Sequence, residues 1–479
     1  MVNEVHKPIV RQRGYFIKGK FDQFKRDIPF SAWVQAFQNL MRQLLTESAT
    51  EVQKWQAKIL KALGENGQVI IDVIPELEHL IGKQPKVPEL EGNAAHRFNL
   101  LFGKFIRLFA TKEHPLAIFL DDLQWADSAS LKLIQLLMSE TDTRYLLLIG
   151  AYRDNEVFPA HPLMLTLDEI RKESATVNQI TLAPLDQPAL NRLIADPLSC
   201  PSERAVPLTE LVFAKTKGNP FFATQFLKSL HEDGLISFDF SCGYWQCDIA
   251  QVRALSLTDD VVEFMAIQLQ KLPVNTQEVL KLAACIGNQF DLATLAIVYE
   301  KSQAETAADL WKALQEGLVI PSTEVYKFFQ DSESVEVVQA ADLSVTYKFL
   351  HDRVQQAAYF LIPEAQKQLT HLKIGQLLLS NTPKAEIEEI IFDIVNQLNI
   401  GTELITHQSE KDELAQLNLI AGRKAKASTA YAAALRYLTT GLELLAASSW
   451  QTQYELTLSL YNEAAEVAFF NGNFQQMEE

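Results

Sequence analysis

Cysteine is scarce in this chain. There are four in 479 residues, at positions 200, 242, 247 and 285, and none forms a CxxC pair. That argues against a disulfide framework, and a reduced, cytoplasmic setting is the expectation. Cys242 and Cys247 flank Trp245 in what reads as a hairpin, which argues against zinc as well. No run of about 18 apolar residues occurs, so no transmembrane helix is expected. Glu4 and His6 stand where a secretory signal would need apolar residues. Positive charge is also in deficit, with 43 Lys and Arg against 60 Asp and Glu, a net charge of −17. This disfavours nucleic acid or an anionic membrane as a partner of the chain as a whole. The opening segment is locally basic (Lys7, Arg11, Arg13, Lys18, Lys20, Lys25, Arg26) and reads as a solvated surface. No HRD with a downstream Asn and no DFG occurs, so the chain itself carries no kinase signature.

The length allows about three domains at roughly 150 residues each. The most informative stretch is Pro115–Asp127, PLAIFLDDLQWAD. Leu116 to Leu120 is unbroken apolar sequence, as expected of a strand buried on both faces of a parallel sheet. Asp121 and Asp122 then fall just beyond its carboxyl end, where ligand sites of such sheets lie. Asp121 is of the type that holds the water shell of Mg²⁺, and Asp122 of the type that orients an attacking water. The competing reading is a buried strand followed by a solvated acidic turn. Trp125, Asp127 and the helical run from Ser128, with Ser128 as its N-cap, weigh against it.

Around this stretch, Gly14–Ile17 reads as a short strand and Ser31–Leu45 as a helix with Trp33, Phe37, Leu40 and Leu44 on one face. Further helices are expected near Thr50–Leu63, Ile70–Ile81 and Ala94–Ala110, with a loop at Pro85–Pro88. Tyr145–Tyr152 (YLLLIGAY) is the next buried strand. Arg153 follows it, either facing a phosphate or pairing with Asp154 or Glu156 at the surface. Asn178–Leu182 reads as another strand. In KGNPFF (Lys217–Phe222), Gly218 permits a positive φ and Pro220 suits a first helical turn. A hairpin is expected from Leu235–Phe238 and Tyr244–Cys247. Helices follow at Leu257–Leu272, Thr276–Ile286, Leu292–Tyr299 and Ala304–Glu316. Gly317–Pro321 and Val345–Phe349 pair around a polar insertion. In FLHDRVQQAAY (Phe349–Tyr359), His351 and Asp352 stand where a helix cap is needed. From Pro363 the chain reads as helical, with Ala430, Ala433, Ala434 and Tyr437 forming one seam. Aligning Ala427 with Ala468 gives a repeat of 41 residues, longer than the roughly 34 of a tetratricopeptide repeat.

The DDLQWAD ending resembles the Walker B strand of P-loop ATPases of the STAND and AAA-like type. GYFIKGKFDQFKRDIPFSAWVQAFQ (Gly14–Gln38) is similar to the ATPase module of very large bacterial signalling proteins. There the module lies between a serine/threonine kinase domain and sensor and histidine-kinase domains. The resemblance spans essentially the whole chain and implies an α/β then all-α architecture. Residues 1–185 would be a P-loop ATPase core with an incomplete parallel sheet, 186–250 a helical lid and hairpin, 251–362 a winged-helix-like domain, and 363–479 helical, tetratricopeptide-like repeats. It implies ATP and Mg²⁺ as cofactors of the intact parent. Asp121 would take the metal and Asp122 a catalytic role. Arg153 would act as sensor 1, Gly218 and Pro220 as the GxP motif beside the adenine, and His351 as a reader of phosphates. Implied partners are other domains of the parent, and proteins captured by the helical tail.

One part of the family pattern is absent. The phosphate-cradling GxxxxGK[ST] occurs nowhere in full; Gly14–Lys20 has the two glycines and the lysine but Phe21 in place of the hydroxyl, and Gly82–Lys83 lacks both the upstream glycine and the following hydroxyl. The expectation is a chain that begins after its phosphate loop. It would lack a central strand between Tyr145–Ala151 and Gln179–Leu182, and bind ATP poorly. Two other functions compete with a nucleotide switch: a non-enzymatic scaffold working through its helical tail, and a fragment of an ATP-dependent transcription regulator.

Overall fold

The structure is a computed structural model that describes residues 2–85, 87, 94–139, 144–173, 175–241, 243–254, 258, 260–322 and 345–478. Cys242, Leu257, Thr141, Lys86, Pro88 and the polar insertion after Ser322 lie outside the described residues. The chain divides into two compact units, one of residues 1–177 with 368–479 and one of residues 178–367. The linear division at 185, 250 and 362 does not contain this pairing of the first and last segments.

In the first unit, strands β1 (Tyr15–Lys20), β2 (Leu116–Asp121) and β3 (Leu146–Gly150) form a parallel sheet in that order. The alternation that buries both faces of β2 gives Leu116, Ala117, Ile118 and Leu120 no exposure. Parallel neighbours need crossovers on the sheet faces, and helices supply them. Ser31–Leu45 buries Trp33, Phe37, Leu40 and Leu44 as its sequence spacing requires. Phe98, Phe102, Phe105 and Phe109 recur at three and four residues along Ala94–Arg107 and its end. They pack edge to face on one another and on Phe30, tilted against Phe37, and near-parallel on Trp55. Gly19 is needed for close approach, since a Cβ there would lie 1.8 Å from the Ala32 carbonyl oxygen.

Two local expectations are corrected. The helix after the acids is Ser128–Ser139, but its cap is Asp127, which accepts from the Ser130 amide and hydroxyl. An ionised carboxylate is the stronger acceptor there. Residues 178–182 form no strand. Ile180 and Leu182 are exposed, and among the described residues no strand pairs with this segment.

The tail of the first unit is helical. Helices Gln408–Ala427, Tyr431–Glu443 and Tyr454–Phe470 pack in succession, with Ala430, Ala433, Ala434 and Tyr437 all buried. Ala430 N–H bonds the Ala425 carbonyl, and Asn473 N–H bonds the Ala468 carbonyl in the same way. The matching turns are 43 positions apart, so Ala468 corresponds to Ala425 and the repeat is two residues longer than the sequence alignment gave.

The second unit is mostly helical. Hairpin β4 (Ile236–Asp239) with β5 (Tyr244–Cys247) follows the helix Pro220–Glu232. Helices Val261–Gln270, Val274–Ile286, Leu292–Tyr299 and Gln303–Gln315 come next. Strands β6 (Gln289–Asp291), β7 (Val319–Pro321) and β8 (Thr346–Phe349) make an antiparallel sheet in the order β6-β8-β7. The sequence reading anticipated the β7–β8 pair and missed β6, whose three residues are too few for an alternation signal.

Candidate functional site

Asp121, Asp122 and Arg153 meet at the carboxyl end of the parallel sheet. Lys20, the last residue of β1, is in register with Asp121, and Gly150 at the end of β3 with Leu120. The chain then turns sharply. Asp122 adopts a left-handed φ of 55°, which aspartate tolerates better than most residues, and its amide donates to the Asp121 carboxylate at 3.1 Å. The Asp122 side chain is 7% exposed and is met from three sides. Lys20 Nζ lies 3.1 Å from Oδ2, Arg153 Nε 3.6 Å from Oδ1, and Gln124 Nε2 donates to Oδ1 at 2.9 Å. Arg153 also pairs with Glu156 at 2.9 Å, and its guanidinium lies over the Trp125 ring with 5.1 Å to the centroid. The Arg153 amide donates to the Gln124 side chain. Arg153 therefore makes the surface pairing with Glu156 and the inward one with Asp122 together.

The second group of candidates lies in the second unit. Lys217 and Gly218 are both left-handed, with φ of 51° and 78°. The Gly218 carbonyl accepts from Leu185 N–H at 2.9 Å, and a Cβ on Gly218 would lie 2.1 Å from the Leu185 carbonyl oxygen. Asn219 caps the next helix by accepting from Phe222 N–H, and Pro220 opens its first turn. Phe221 then stacks on His351, with centroids 4.2 Å apart and planes 14° from parallel. His351 caps the helix Asp352–Phe360, its Nδ1 accepting from the Arg353 amide at 3.1 Å, which leaves the ring proton on Nε2. Asp352 is buried and accepts from Asn288. The structure thus brings the KGNPFF turn and His351 together, 130 residues apart in sequence.

Three participants were missed from sequence. Lys20 reads as solvated surface in the sequence, yet its Nζ lies 3.1 Å from Asp122. Its signal was the alignment of two parallel strands ending in GK and LD. Gln124, inside DDLQWAD, orients both Asp122 and Arg153. Phe221, which the sequence reading does not single out, is the platform for His351.

The carboxylates suit a hard cation such as Mg²⁺, which binds one or two of them through waters. Among the described residues, however, no group of three or more His, Cys, Asp or Glu is arranged to hold a metal by itself. The Lys20 ammonium sits at one Asp122 oxygen, so a cation would have to displace it. For a triphosphate the fit is incomplete, because the sequence has no GxxxxGK[ST] to cradle it.

Residues 1–149 match the AAA ATPase domain family. The match runs from the first helix into β3 and stops short of Arg153. Across 96% of its length the chain is 30% identical to hybrid signal transduction histidine kinase G of Dictyostelium discoideum, of which it spans 16%. It is 20% identical over 80% of its length to the peroxide stress-activated histidine kinase mak3 of Schizosaccharomyces pombe, spanning 17% of that protein. A structure of a Pyrococcus horikoshii signal transduction ATPase with numerous domains, with a tetratricopeptide repeat sensor, is similar over 79% of this chain and 50% of that one. It is 12% identical with a TM-score of 0.37, a likeness too loose to bear on the fold. Among the described residues no helix is long and apolar enough to cross a membrane.

Proposed function

We propose that the chain is the nucleotide-switch module of a larger histidine-kinase signalling protein. Its role would be to respond to ATP and Mg²⁺ rather than to phosphorylate. The observation that carries this reading is the carboxylate pair ending the central parallel strand, with Arg153 following the adjacent strand and contacting the second acid. The AAA ATPase match and the histidine-kinase relatives support it. In this reading β2 is a Walker B strand. Asp121 meets the metal shell, Asp122 orients the attacking water, and Arg153 reads the terminal phosphate. Gly218 and Pro220 face the adenine and His351 the phosphates. Residues 186–250 act as a lid, 251–362 as a winged-helix-like domain, and 363–479 as tetratricopeptide-like repeats toward partner proteins.

Triphosphate binding then requires a phosphate loop supplied from outside these 479 residues. Titration of the chain with Mg-ATP should show no saturation in the low micromolar range; saturation there would overturn that requirement. Joined behind a strand–loop–helix carrying GxxxxGK[ST], the chain should bind Mg-ATP, and Asp122→Asn should then slow hydrolysis of the bound nucleotide. No effect of Asp122→Asn would remove the acid from the reading.

A second reading, a scaffold indifferent to nucleotide, is favoured by one observation. The last helices leave Trp450, Tyr454, Phe469 and Phe474 about half exposed, and apolar patches of this kind mark interaction surfaces. Partner capture unchanged by Asp122→Asn in the nucleotide-binding fusion would support it.

A further inference from the structure

The segment from Lys20 to Phe30 touches the acid loop three times. Lys20 Nζ pairs with Asp122, Phe21 N–H donates to the Asp121 carbonyl at 3.1 Å, and Phe30 N–H donates to the Asp127 carboxylate at 3.2 Å. Phe21 and Phe30 are buried, so both ends are anchored. Between them the chain is wound into tight turns. Lys25 N–H bonds the Asp22 carbonyl, Ile28 N–H bonds the Lys25 carbonyl, and Phe24 N–H bonds the Asp22 side chain. A segment of about ten residues wound in this way has little slack, so a pull on its middle is felt at both ends.

The middle is held by the helical tail of the same unit. Lys25 pairs with Asp393 at 2.7 Å, and Asp27 with Arg436 at 2.5 Å. The Tyr437 hydroxyl lies between the Asp27 carbonyl, at 3.4 Å, and Asn396, at 2.9 Å, with its ring stacked on Phe392. These contacts come from two helices, Ile391–Ile400 and Tyr431–Glu443, more than 360 residues from the segment they grip.

We infer that residues 20–30 are a mechanical link, so that docking of these two tail helices sets the geometry of the acid loop 121–127. The link needs no nucleotide and stands apart from the functional reading above. The coupling is reciprocal: whatever loosens the acid loop also loosens the tail.

Hydrogen exchange on the full chain tests this. Arg436→Glu should speed amide exchange in residues 21–30 and in residues 121–127, by about fivefold or more in both, the low end of typical coupling between sites. The charge swap, Asp27→Arg with Arg436→Glu, should restore both. In the other direction, Lys20→Met should speed exchange in residues 391–400 and 431–437. If Arg436→Glu proves too disruptive, the milder Asp27→Asn is read the same way. Faster exchange confined to residues 21–30 and the tail, with 121–127 protected as in the wild type, would overturn the inference. So would a Lys20→Met variant with an unchanged tail.

Discussion

The acid loop of the first unit and the KGNPFF turn of the second are both marked in the sequence, but different forces hold them. Around Asp122 the contacts are charged: an ammonium, a guanidinium and an amide converge on one carboxylate. Around Gly218 the contacts are steric and aromatic: a backbone passing within reach of another backbone, and a ring laid on a ring. Charge is tuned by ions and by exchange of partners, whereas shape is nearly indifferent to salt and intolerant of added atoms. The acid loop should therefore answer to a change of charged partner, and the glycine turn to an added atom.

The sharpest test of that contrast is Gly218→Ala. The new Cβ would enter the Leu185 carbonyl in a conformation that alanine rarely adopts. Overpacking costs about 1–3 kcal/mol and a left-handed non-glycine residue about as much again. We expect a loss of about 2–4 kcal/mol for the second unit, read by urea titration, and unchanged between low and high salt. A tolerated alanine would show that the turn has room to move.

Next in size is Lys20→Met. Removing one partner of a buried pair typically costs about 3–5 kcal/mol. Lys20 is a quarter exposed, and Arg153 and Gln124 remain on Asp122, so about 1–2 kcal/mol is expected for the first unit. Part of that loss should vanish in 1 M salt. A loss as insensitive to salt as that of Gly218→Ala would erase the distinction between the two sites.

How much of this was visible in the sequence follows the same division. The strand Leu116–Asp121 announced itself by an apolar run ending in acids, and the glycine turn by its residue types. The helical faces were legible because Trp33, Phe37, Leu40 and Leu44 recur at helical spacing. What stayed hidden depends on contacts across long separations. Lys20 meets Asp122 only because β1 and β2 are parallel and in register. Phe221 finds His351 only after the second unit has folded. Residues 178–182 have the composition of a strand, but a strand exists only where a neighbour satisfies its backbone. The Ser128 cap failed for a local reason, since the aspartate one position earlier outbids the hydroxyl.

Phe221→Ala should have a smaller effect. A stacked aromatic pair contributes about 1 kcal/mol beyond its buried area, and Phe221 is only half-buried. The His351 cap on Arg353 stays, because it belongs to the next helix rather than to the ring contact. About 1 kcal/mol should be lost from the second unit, again independent of salt. Replacing His351 by Ala should cost more, since it removes the stack and the cap together. Equal losses from the two variants would mean that the cap contributes nothing.

The smallest effect is the slope with pH at Asp127, and it probes the acid loop from its quieter end. Asp127 is half-buried by surface area but densely surrounded by protein, and this desolvation pushes its carboxyl above the ordinary value. The bonds from Ser130 and Phe30 pull the other way without overcoming it. A carboxyl whose folded pKa is raised binds more protons folded than unfolded between the two values. Stability from this group therefore falls as pH rises from 3.8 through the folded pKa. Asparagine at 127 keeps an acceptor for the helix but does not titrate. The stability of the wild type relative to Asp127→Asn should thus decline with rising pH over that window and then level off. A difference that instead grows with pH would mean that the three hydrogen bonds outweigh burial, and that the loop is held by charge at both of its ends.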